Sequence, residues 1–359
     1  MTTVALIGCG YWGPNLLRNY MELPQARVGR LCDARPEALE KALVRYPSLR
    51  VTTDYGEVLA DPDVAAVVIA TPISTHHALA TAALHAGKHV FVEKPIAASV
   101  AEAEELVGLA DATGLTLMVG HTFVYSPPVR MVKRMIDDGD LGEIRFVTSQ
   151  RVNLGLHQKD VSVIWDLATH DLAILDYWLG NGHVGPRDEI ASVSVTGRAC
   201  VRPNVPDIAF VNLRFSSGVV ALAHVSWLSP VKLRRTVVVG SRKMVLYDDT
   251  DADEKVRLYD HGVDFPEPST FEEFELSYHT GDIIAPRLDS SEPLRIEAEH
   301  FLECVESGTR PLSDGAAGLR VVRVLEAAEE SLTNGSCPVA VGAGALGAGA
   351  LGAAGVPLS

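Results

Sequence analysis

Three glycines near the start of the chain have the spacing that a phosphate-binding turn requires. An apolar run over residues 4–7 leads into Gly8, Gly10 and Gly13, which follow the pattern G-x-G-x-x-G. The first glycine permits the tight bend, the second lets the backbone approach a pyrophosphate, and the third lets the next helix pack on the strand. Pro14 suits the first turn of that helix, whose free N–H groups would face the phosphates. The segment predicts a dinucleotide-binding turn.

An acidic residue follows these glycines at the distance expected for ribose recognition. Asp33 ends the next apolar run, residues 28–32, about 20 residues beyond the last glycine. Its carboxylate could accept hydrogen bonds from the adenosine ribose and would repel a 2′-phosphate, so we expect NAD more than NADP. Arg35 could neutralise such a phosphate, which leaves dual use open. The alternative is a glycine turn that binds no ligand.

A lysine lies where another strand-like run ends. The motif Glu93-Lys94-Pro95 follows the apolar residues 89–92, and ligands of open α/β sheets bind at the carboxyl ends of the strands. An ammonium beside a substrate hydroxyl could polarise it and favour the alkoxide character that develops as a hydride leaves the adjacent carbon. The alternative is a solvated lysine paired with Glu93. The bond between Lys94 and Pro95 is a candidate for the cis form.

Asp166 and His170 lie four residues apart in a segment of helical spacing, so on a helix they share one face. Histidine suits proton transfer near neutral pH, and the carboxylate could orient it. A surface ion pair and half of a metal site are the alternatives. His76 and His77 also suggest a metal, but adjacent side chains diverge and no third ligand lies at close spacing, so we predict no metal.

The elements that must position these residues change in type along the chain. In the first third, strand-like runs alternate with helix-length segments, which predicts a mainly parallel sheet. The strand-like runs are residues 4–7, 28–32, 64–70, 89–92 and 115–119, with a weaker one at 50–53; helices are expected at 36–46 and 100–112.

Beyond about residue 120 the runs are short, β-rich and bounded by turns, which predicts an open and mostly antiparallel sheet. They cover residues 143–154, 190–200, 208–215, 219–227, 235–239, 243–247 and 255–259, with helices expected at 163–178, 297–306 and 316–332. The domains are predicted at residues 1–121 and 122–338. Residues 339–359 are a Gly-Ala-Leu tail that we expect to be disordered.

Composition narrows the function classes. The chain has 359 residues and a formal net charge of -15, which argues against nucleic acid and anionic membranes as partners. The five cysteines are scattered without a C-x-x-C motif, so they are expected to be reduced thiols: Cys9, Cys32, Cys200, Cys304 and Cys337. No signal peptide or membrane span is recognisable. We therefore expect a cytoplasmic protein that acts on a small molecule.

Together, these motifs resemble the glucose-fructose oxidoreductase/inositol dehydrogenase/rhizopine catabolism (Gfo/Idh/MocA) family up to about residue 338. The resemblance is carried by Asp33 and by four segments: G-C-G-Y-W-G (8–13), A-T-P-I-S-T-H-H (70–77), A-G-K-H-V-F-V-E-K-P (86–95) and W-D-L-A-T-H-D (165–171). It implies an α/β protein with an N-terminal Rossmann dinucleotide-binding domain and a C-terminal α/β domain whose large antiparallel sheet commonly makes oligomer contacts. The expected assembly is a homodimer or homotetramer.

The resemblance also implies roles for individual residues. It places Lys94, Asp166 and His170 beside the nicotinamide as catalytic residues that also bind substrate. It adds residues that line the cofactor together with the glycines and Asp33, namely Tyr11, Trp12, Thr71, Pro72, His76, Glu93 and Lys94. The loop Gly120-His121-Thr122-Phe123 departs from the asparagine and arginine of many members, which puts the substrate class in doubt.

Within this family the chain looks most like sugar or nucleotide-sugar 3-dehydrogenases, including those that precede an aminotransferase in amino-sugar assembly. Tyr125 and Arg151 are predicted as hydrogen-bonding neighbours of the sugar, with ordinary packing as the alternative. The leading hypothesis is an NAD-dependent dehydrogenase that oxidises a ring hydroxyl, or runs the reverse reduction. An inositol-type dehydrogenase, an NAD-assisted glycosidase and a dinucleotide-sensing regulator are the alternatives. Retention of both Lys94 and His170 argues against the regulator.

Overall fold

The computed structural model describes residues 1–155, 157, 161–180, 187–264 and 277–342. Its first part is a parallel sheet with helices between the strands. The elements are β1 (Thr2–Ile7), α1 (Gly13–Glu22), β2 (Ala26–Cys32), α2 (Pro36–Arg45), β3 (Val51–Thr52), α3 (Tyr55–Ala60), β4 (Ala66–Ile69), α4 (His76–His85), β5 (His89–Glu93), α5 (Val100–Thr113) and β6 (Leu117–Gly120).

Strand order makes the carboxyl ends of β1 and β4 a natural ligand site. The six strands lie in the order β3-β2-β1-β4-β5-β6, and every pair is parallel. The strands are buried on both faces, as residues 66–69 show with 0% exposure throughout, which explains their continuous apolar sequence. Successive strands are added towards one edge of the sheet from β1 to β3 and towards the other edge from β4 to β6. Ligands of such sheets bind at the point between β1 and β4 where this order reverses.

The second part contains a larger sheet. Its elements are α6 (Pro127–Asp137), β7 (Ile144–Leu154), α7 (Thr169–Leu179), β8 (Ile190–Arg198), β9 (Ile208–Phe215), β10 (Val220–Ser226), β11 (Leu228–Gly240), β12 (Met244–Asp248), β13 (Val256–Asp264), β14 (Ser277–Ile284), α8 (Pro293–Ser307), α9 (Gly315–Thr333) and β15 (Val339–Ala340). The strand order is β14-β13-β12-β11-β7-β10-β9-β8-β15. Among these pairs β7 and β10 are parallel and the others antiparallel.

This sheet is covered on one face only. In β9 the side chains of Ala209, Val211 and Leu213 are buried, whereas those of Phe210 and the alternate polar residues are exposed. Helix α9 packs against β8, and α6 packs against β12. Alternation with period two is the pattern of an antiparallel sheet with one face on the core. The predicted α/β class with a parallel and a mostly antiparallel sheet is confirmed.

The last two long helices return to the first domain. Helix α8 packs against α1, and α9 packs against α5 as well as against α7. The Phe91 ring on β5 meets the Phe301 ring on α8 edge-on, with 5.7 Å between centroids. The carboxyl ends of β5 and β6 therefore lie where both domains contribute side chains.

Several elements differ from the sequence predictions. Helices α4 and α6 and strand β14 were missed, and β11 is longer than residues 235–239. The prediction that the tail is disordered from residue 339 is wrong for its first residues. Val339 and Ala340 pair with β8, and the Val341 N–H donates to the Ala191 carbonyl over 2.9 Å. An exposed sheet edge can hold such a short strand through backbone hydrogen bonds alone. Residues 343–359 lie outside the described residues.

Candidate active site

The glycine turn has the shape that a dinucleotide pyrophosphate needs. Gly8 has a φ of +94°, and a Cβ there would lie 2.6 Å from the Ala70 carbonyl oxygen. A Cβ on Gly13 would collide with the Gly8 carbonyl, whereas a Cβ on Gly10 would meet nothing nearer than Arg35 at 3.6 Å. Gly8 and Gly13 thus let strand and helix approach, and Gly10 leaves the outer side of the turn open. The N-terminus of α1 faces this turn and suits an anion.

Asp33 lies at the end of β2 and is held by its surroundings. Its carboxylate accepts hydrogen bonds from the Cys9 N–H over 2.7 Å and from the Arg35 guanidinium over 3.1 Å. Burial acts to raise the pKa of Asp33, but these hydrogen bonds outweigh it and lower the pKa. Asp33 is therefore a carboxylate at neutral pH, placed where the ribose of a dinucleotide would lie.

The other predicted cofactor residues occupy different environments. Tyr11 is 89% exposed and Trp12 39% exposed at the glycine turn. Thr71 and Pro72 follow β4 and form the loop beside Gly8. His76 is buried, with its ring nitrogens 2.9 Å from the Thr71 carbonyl oxygen and 2.8 Å from that of Pro95. Direct cofactor contact by His76 is therefore not supported, and its geometry fits positioning of the Thr71 and Pro95 loops.

Lys94 and Asp166 come together across the domain boundary. The Lys94 ammonium donates to the backbone carbonyl of Asp166 over 2.9 Å and lies 3.4 Å from its carboxylate. The Lys94-Pro95 peptide bond is cis. Lys94 thus does not point into bulk solvent, and its side chain is 19% exposed. The alternative of a solvated lysine paired with the Glu93 carboxylate does not match this geometry.

A local change of helix type presents Asp166. Residues Ile164–Ala168 form a π-helical turn directly before α7, and such turns are frequent at functional sites. The second carboxylate oxygen of Asp166 accepts a hydrogen bond from the Trp227 indole N–H over 3.1 Å. Asp166 is therefore held between Lys94 and Trp227, and the predicted alternative of a surface ion pair between Asp166 and His170 is wrong.

His170 lies in the first turn of α7 beside an aromatic ring. Its ring meets Phe123 edge-on, with 4.9 Å between centroids. Its Nδ1 is buried and has no hydrogen-bond partner among the described residues. Burial lowers the pKa of His170 well below the usual value, and the nearby charges of Lys94 and Arg151 add to this. His170 is therefore a neutral imidazole near neutral pH, with one unprotonated ring nitrogen.

Arg151 packs against residues of the candidate site and holds them in place. It is buried on β7, where its guanidinium donates to Asp171 over 2.8 and 3.3 Å. The guanidinium also lies over the Phe123 ring, 4.5 Å from the centroid, and Arg234 lies 5.6 Å from the same ring. This arrangement fixes Phe123 against His170. It gives Arg151 a positioning role. Its Nη1 has no hydrogen-bond partner among the described residues, and the predicted bond to substrate stays a prediction.

Tyr125 does not face the cleft. Its side chain is fully buried, and its hydroxyl lies 3.0 Å from the Ser313 hydroxyl. Burial also raises the pKa of Tyr125 far above its usual value. The prediction that Tyr125 binds substrate is corrected, because its polar end joins the turn after β6 to the start of α9. Packing was the alternative, and the geometry favours it.

Sequence reasoning missed several residues that surround the site. His121 is 3% exposed, neither ring nitrogen has a partner among the described residues, and burial lowers its pKa to about 4. Phe123, Trp227, Arg234 and the fully buried Glu297 were not singled out either. The unusual loop at residues 120–123 was the available signal for His121 and Phe123. No motif indicated Trp227, Arg234 or Glu297.

Among the described residues, no helix is long and apolar enough to cross a membrane. Histidine, cysteine and carboxylate side chains nowhere form a group of three that could hold a metal ion in that part of the chain.

Two family models match the chain. Residues 2–121 match the model of an oxidoreductase family with an NAD-binding Rossmann fold, and residues 129–246 match the GFO/IDH/MocA C-terminal domain. The two matches meet near the end of β6, where Lys94, Asp166 and His170 also converge.

Individual relatives match over almost their whole length. A crystal structure from Magnetospirillum magnetotacticum MS-1 is 31% identical, with a TM-score of 0.77, covering 91% of this chain and 99% of that one. A UDP-N-acetylglucosamine 3-dehydrogenase from Acidithiobacillus ferrooxidans is 25% identical, with a TM-score of 0.74 and coverage of 92% and 98%. A scyllo-inositol 2-dehydrogenase (NAD(+)) from Bacillus subtilis is 26% identical over 92% of this chain and 94% of its own. The chain therefore belongs to the GFO/IDH/MocA family of NAD-binding oxidoreductases.

Proposed function

We propose that the protein is an NAD-dependent dehydrogenase that oxidises the C3 hydroxyl of a sugar, nucleotide sugar or glycoside to a ketone, or catalyses the reverse reduction. The observation that carries this proposal is the convergence of a lysine ammonium and a neutral histidine. The Asp166 carbonyl holds the Lys94 ammonium over 2.9 Å, and the charge of Lys94 acts on the half-buried His170 ring. Oxidation of an alcohol by hydride transfer is promoted by a proton acceptor and by a cation, both close to the hydroxyl oxygen.

In this proposal the substrate hydroxyl lies between Lys94 and His170. His170 accepts the hydroxyl proton, and the Lys94 ammonium stabilises the negative charge that develops on the oxygen. Bound NAD would supply the hydride acceptor for the carbon that carries this hydroxyl. Asp166 keeps the ammonium in place through its carbonyl and carboxylate oxygens, and Trp227 orients that carboxylate. In the reverse direction His170 would return the proton to the nascent alkoxide.

The position of oxidation and the sugar class rest on two supports. One is the resemblance of residues 10–15, 120–129 and 165–171 to sugar 3-dehydrogenases. The other is the likeness to the Acidithiobacillus ferrooxidans UDP-N-acetylglucosamine 3-dehydrogenase. A role in amino-sugar or secondary-metabolite biosynthesis follows from the same supports, since a ketone at C3 is the substrate that an aminotransferase requires.

Isotope transfer tests the function and the position together. Purified protein is mixed with NAD and a panel of UDP-N-acetylhexosamines, free aminoglycosides and inositols, and NADH is followed by absorbance. A substrate deuterated at C3 should yield deuterated nicotinamide and a slower chemical step, whereas the same sugar deuterated at C2 or C4 should not. Absence of NADH with every member of the panel would refute sugar dehydrogenation. Deuterium transfer from another carbon would refute the C3 assignment.

We also propose that the protein forms a homodimer or homotetramer through the open face of the larger sheet. Three apolar side chains on this face are about two-fifths exposed, namely Phe146 (41%), Phe210 (40%) and Val220 (43%). The Phe210 ring stacks on His224, with 4.5 Å between centroids. A wide sheet with exposed aromatic and aliphatic groups on its uncovered face is a surface that a second copy can cover.

A further inference from the structure

Two glutamate side chains lie buried where the domains meet. Glu93 is the last residue of β5 and is 8% exposed, and Glu297 on α8 is 0% exposed. The Glu93 carboxyl lies against Gly120 at the end of β6, where a Cβ would come within 3.1 Å of it. The absence of a side chain at Gly120 therefore makes the space that Glu93 occupies.

The two carboxyl groups have few partners for their charge. Glu297 accepts a hydrogen bond from the Thr122 hydroxyl over 2.8 Å, and Glu93 accepts one from the Lys94 backbone N–H over 3.2 Å. The Oε1 atom of each is buried without a hydrogen-bond partner among the described residues. The hydrogen-bonding capacity of each carboxyl group is therefore only partly used by its neighbours.

The surroundings of the pair offer little compensation for a second negative charge. Among the titratable groups, Lys94 lowers the pKa of Glu93, and the charge of Glu93 raises the pKa of Glu297. Burial and the charge of Glu297 in turn raise the pKa of Tyr20 on α1 and of Tyr125 in the turn after β6. Only Lys94 among these is a cation, and its effect falls on Glu93.

Electrostatics then decides which group keeps a proton. Burial raises the pKa of Glu297 well above its usual value, and the charge of Glu93 adds to this. Burial raises the pKa of Glu93 to about 7, against the opposing effects of Lys94 and the Trp12 indole. Ionisation of both carboxyl groups at one buried site costs much more free energy than ionisation of one. Near neutral pH the pair therefore holds at least one proton, and Glu297 is the member that keeps it longest.

We propose that Glu297 is a positioning residue of the active site that acts as a neutral carboxylic acid. It holds the Thr122 hydroxyl, and because it stays uncharged it allows Glu93, directly before Lys94, to carry the negative charge of the pair alone. Through the Thr122 hydrogen bond, a helix of the second domain positions the turn that bears Phe123. Through the charge state of the pair, the same helix acts on the end of β5 beside Lys94. The inference rests on the proposed catalytic role of Lys94.

Infrared spectroscopy tests the protonation state without any substrate. At a pH above the Glu93 titration, the wild-type protein should show the C=O stretching band of a buried carboxylic acid, and Glu297→Gln should remove it. The matched control is Glu329→Gln, which changes a partly buried glutamate on α9 that binds Ser162 and whose pKa is also raised by burial. This control should leave the Glu297 band in place. A wild-type protein without such a band, or a band that survives in Glu297→Gln, would overturn the proposal.

Kinetics tests the positioning role once a substrate is known. Glu297→Leu removes the acceptor of the Thr122 hydroxyl, and kcat should fall by about tenfold or more, with a smaller change in NAD affinity. Glu297→Gln keeps a neutral hydrogen-bonding group and should restore most of this loss. An equal loss in the glutamine variant would overturn the proposal, since it would show that a carboxylate is needed. Should Glu297→Leu not fold, the infrared comparison decides the question. Lack of any dehydrogenase activity would count against the proposed function and leave the infrared result valid.

Discussion

Replacement of Lys94 by methionine should separate cofactor binding from turnover. The substitution keeps the length of the side chain and removes the ammonium that Asp166 holds over 2.9 Å. A unit charge about 4 Å from a developing alkoxide stabilises it by about 4 kcal/mol at an effective dielectric constant of ~20. That energy corresponds to roughly a thousandfold in rate. The neighbouring Asp166 carboxylate offsets part of it, so we expect kcat to fall by about 10²–10³-fold, as for loss of a charge-stabilising group.

The assay measures NAD binding by calorimetry and turnover by NADH absorbance. Lys94→Met and His170→Ala should each bind NAD with nearly wild-type affinity. Lys88→Met is a matched control, since Lys88 is also buried and lies just before the opposite end of β5, where it donates to the Asp61 and Val64 carbonyls. It should lower stability and leave the chemical step unchanged. Near-normal turnover in both site variants would refute the reasoning and place the chemistry elsewhere in the cleft.

A double-mutant cycle refines this test. Lys94 contacts both the backbone carbonyl and the carboxylate of Asp166. Residues in direct contact give non-additive effects. Asp166→Asn should therefore reduce kcat strongly in the wild-type background and much less in Lys94→Met. Additive losses would show that the two side chains act independently.

Three further predictions concern other parts of the molecule. The wild-type protein should bind NADH more tightly than NADPH, because the Asp33 carboxylate stays ionised, and titration showing tighter NADPH binding would contradict this. Burial raises the pKa of Glu93 from 4.5, its value in the unfolded chain, to about 7 in the folded protein. The neutral carboxyl group therefore stabilises the folded protein fully below the unfolded-state pKa, and this stabilisation is lost as the pH rises through the folded-state pKa. Chemical denaturation should show a loss of about 3 kcal/mol over that window, and Glu93→Gln should flatten it. Light scattering should show that the wild-type protein is an oligomer and that the double variant Phe146→Glu/Phe210→Glu is a monomer. The control Val44→Glu, on the exposed side of α2, should remain an oligomer. A monomeric wild-type protein would refute the proposed assembly.

Much of the fold and part of the site could be predicted from the sequence, because they depend on local rules. Glycine spacing and an acid at the end of β2 are sufficient to indicate a dinucleotide-binding turn. Apolar runs of strand length, alternating with helices and then following one another, are sufficient to indicate the two kinds of sheet. The position of Lys94 at a strand's carboxyl end follows from the same rules.

Tertiary structure alone decided which side chains meet. Asp166 is 72 residues from Lys94 in sequence, and it pairs with that lysine and with Trp227, while its helical neighbour His170 packs on Phe123. Tyr125 has its hydroxyl at Ser313 instead of in the cleft. Spacing along one helix or strand shows which side chains share a face, but it does not show what that face is packed against. The packing of α8 and α9 back onto the first domain brings these distant residues together, and no local pattern encodes it.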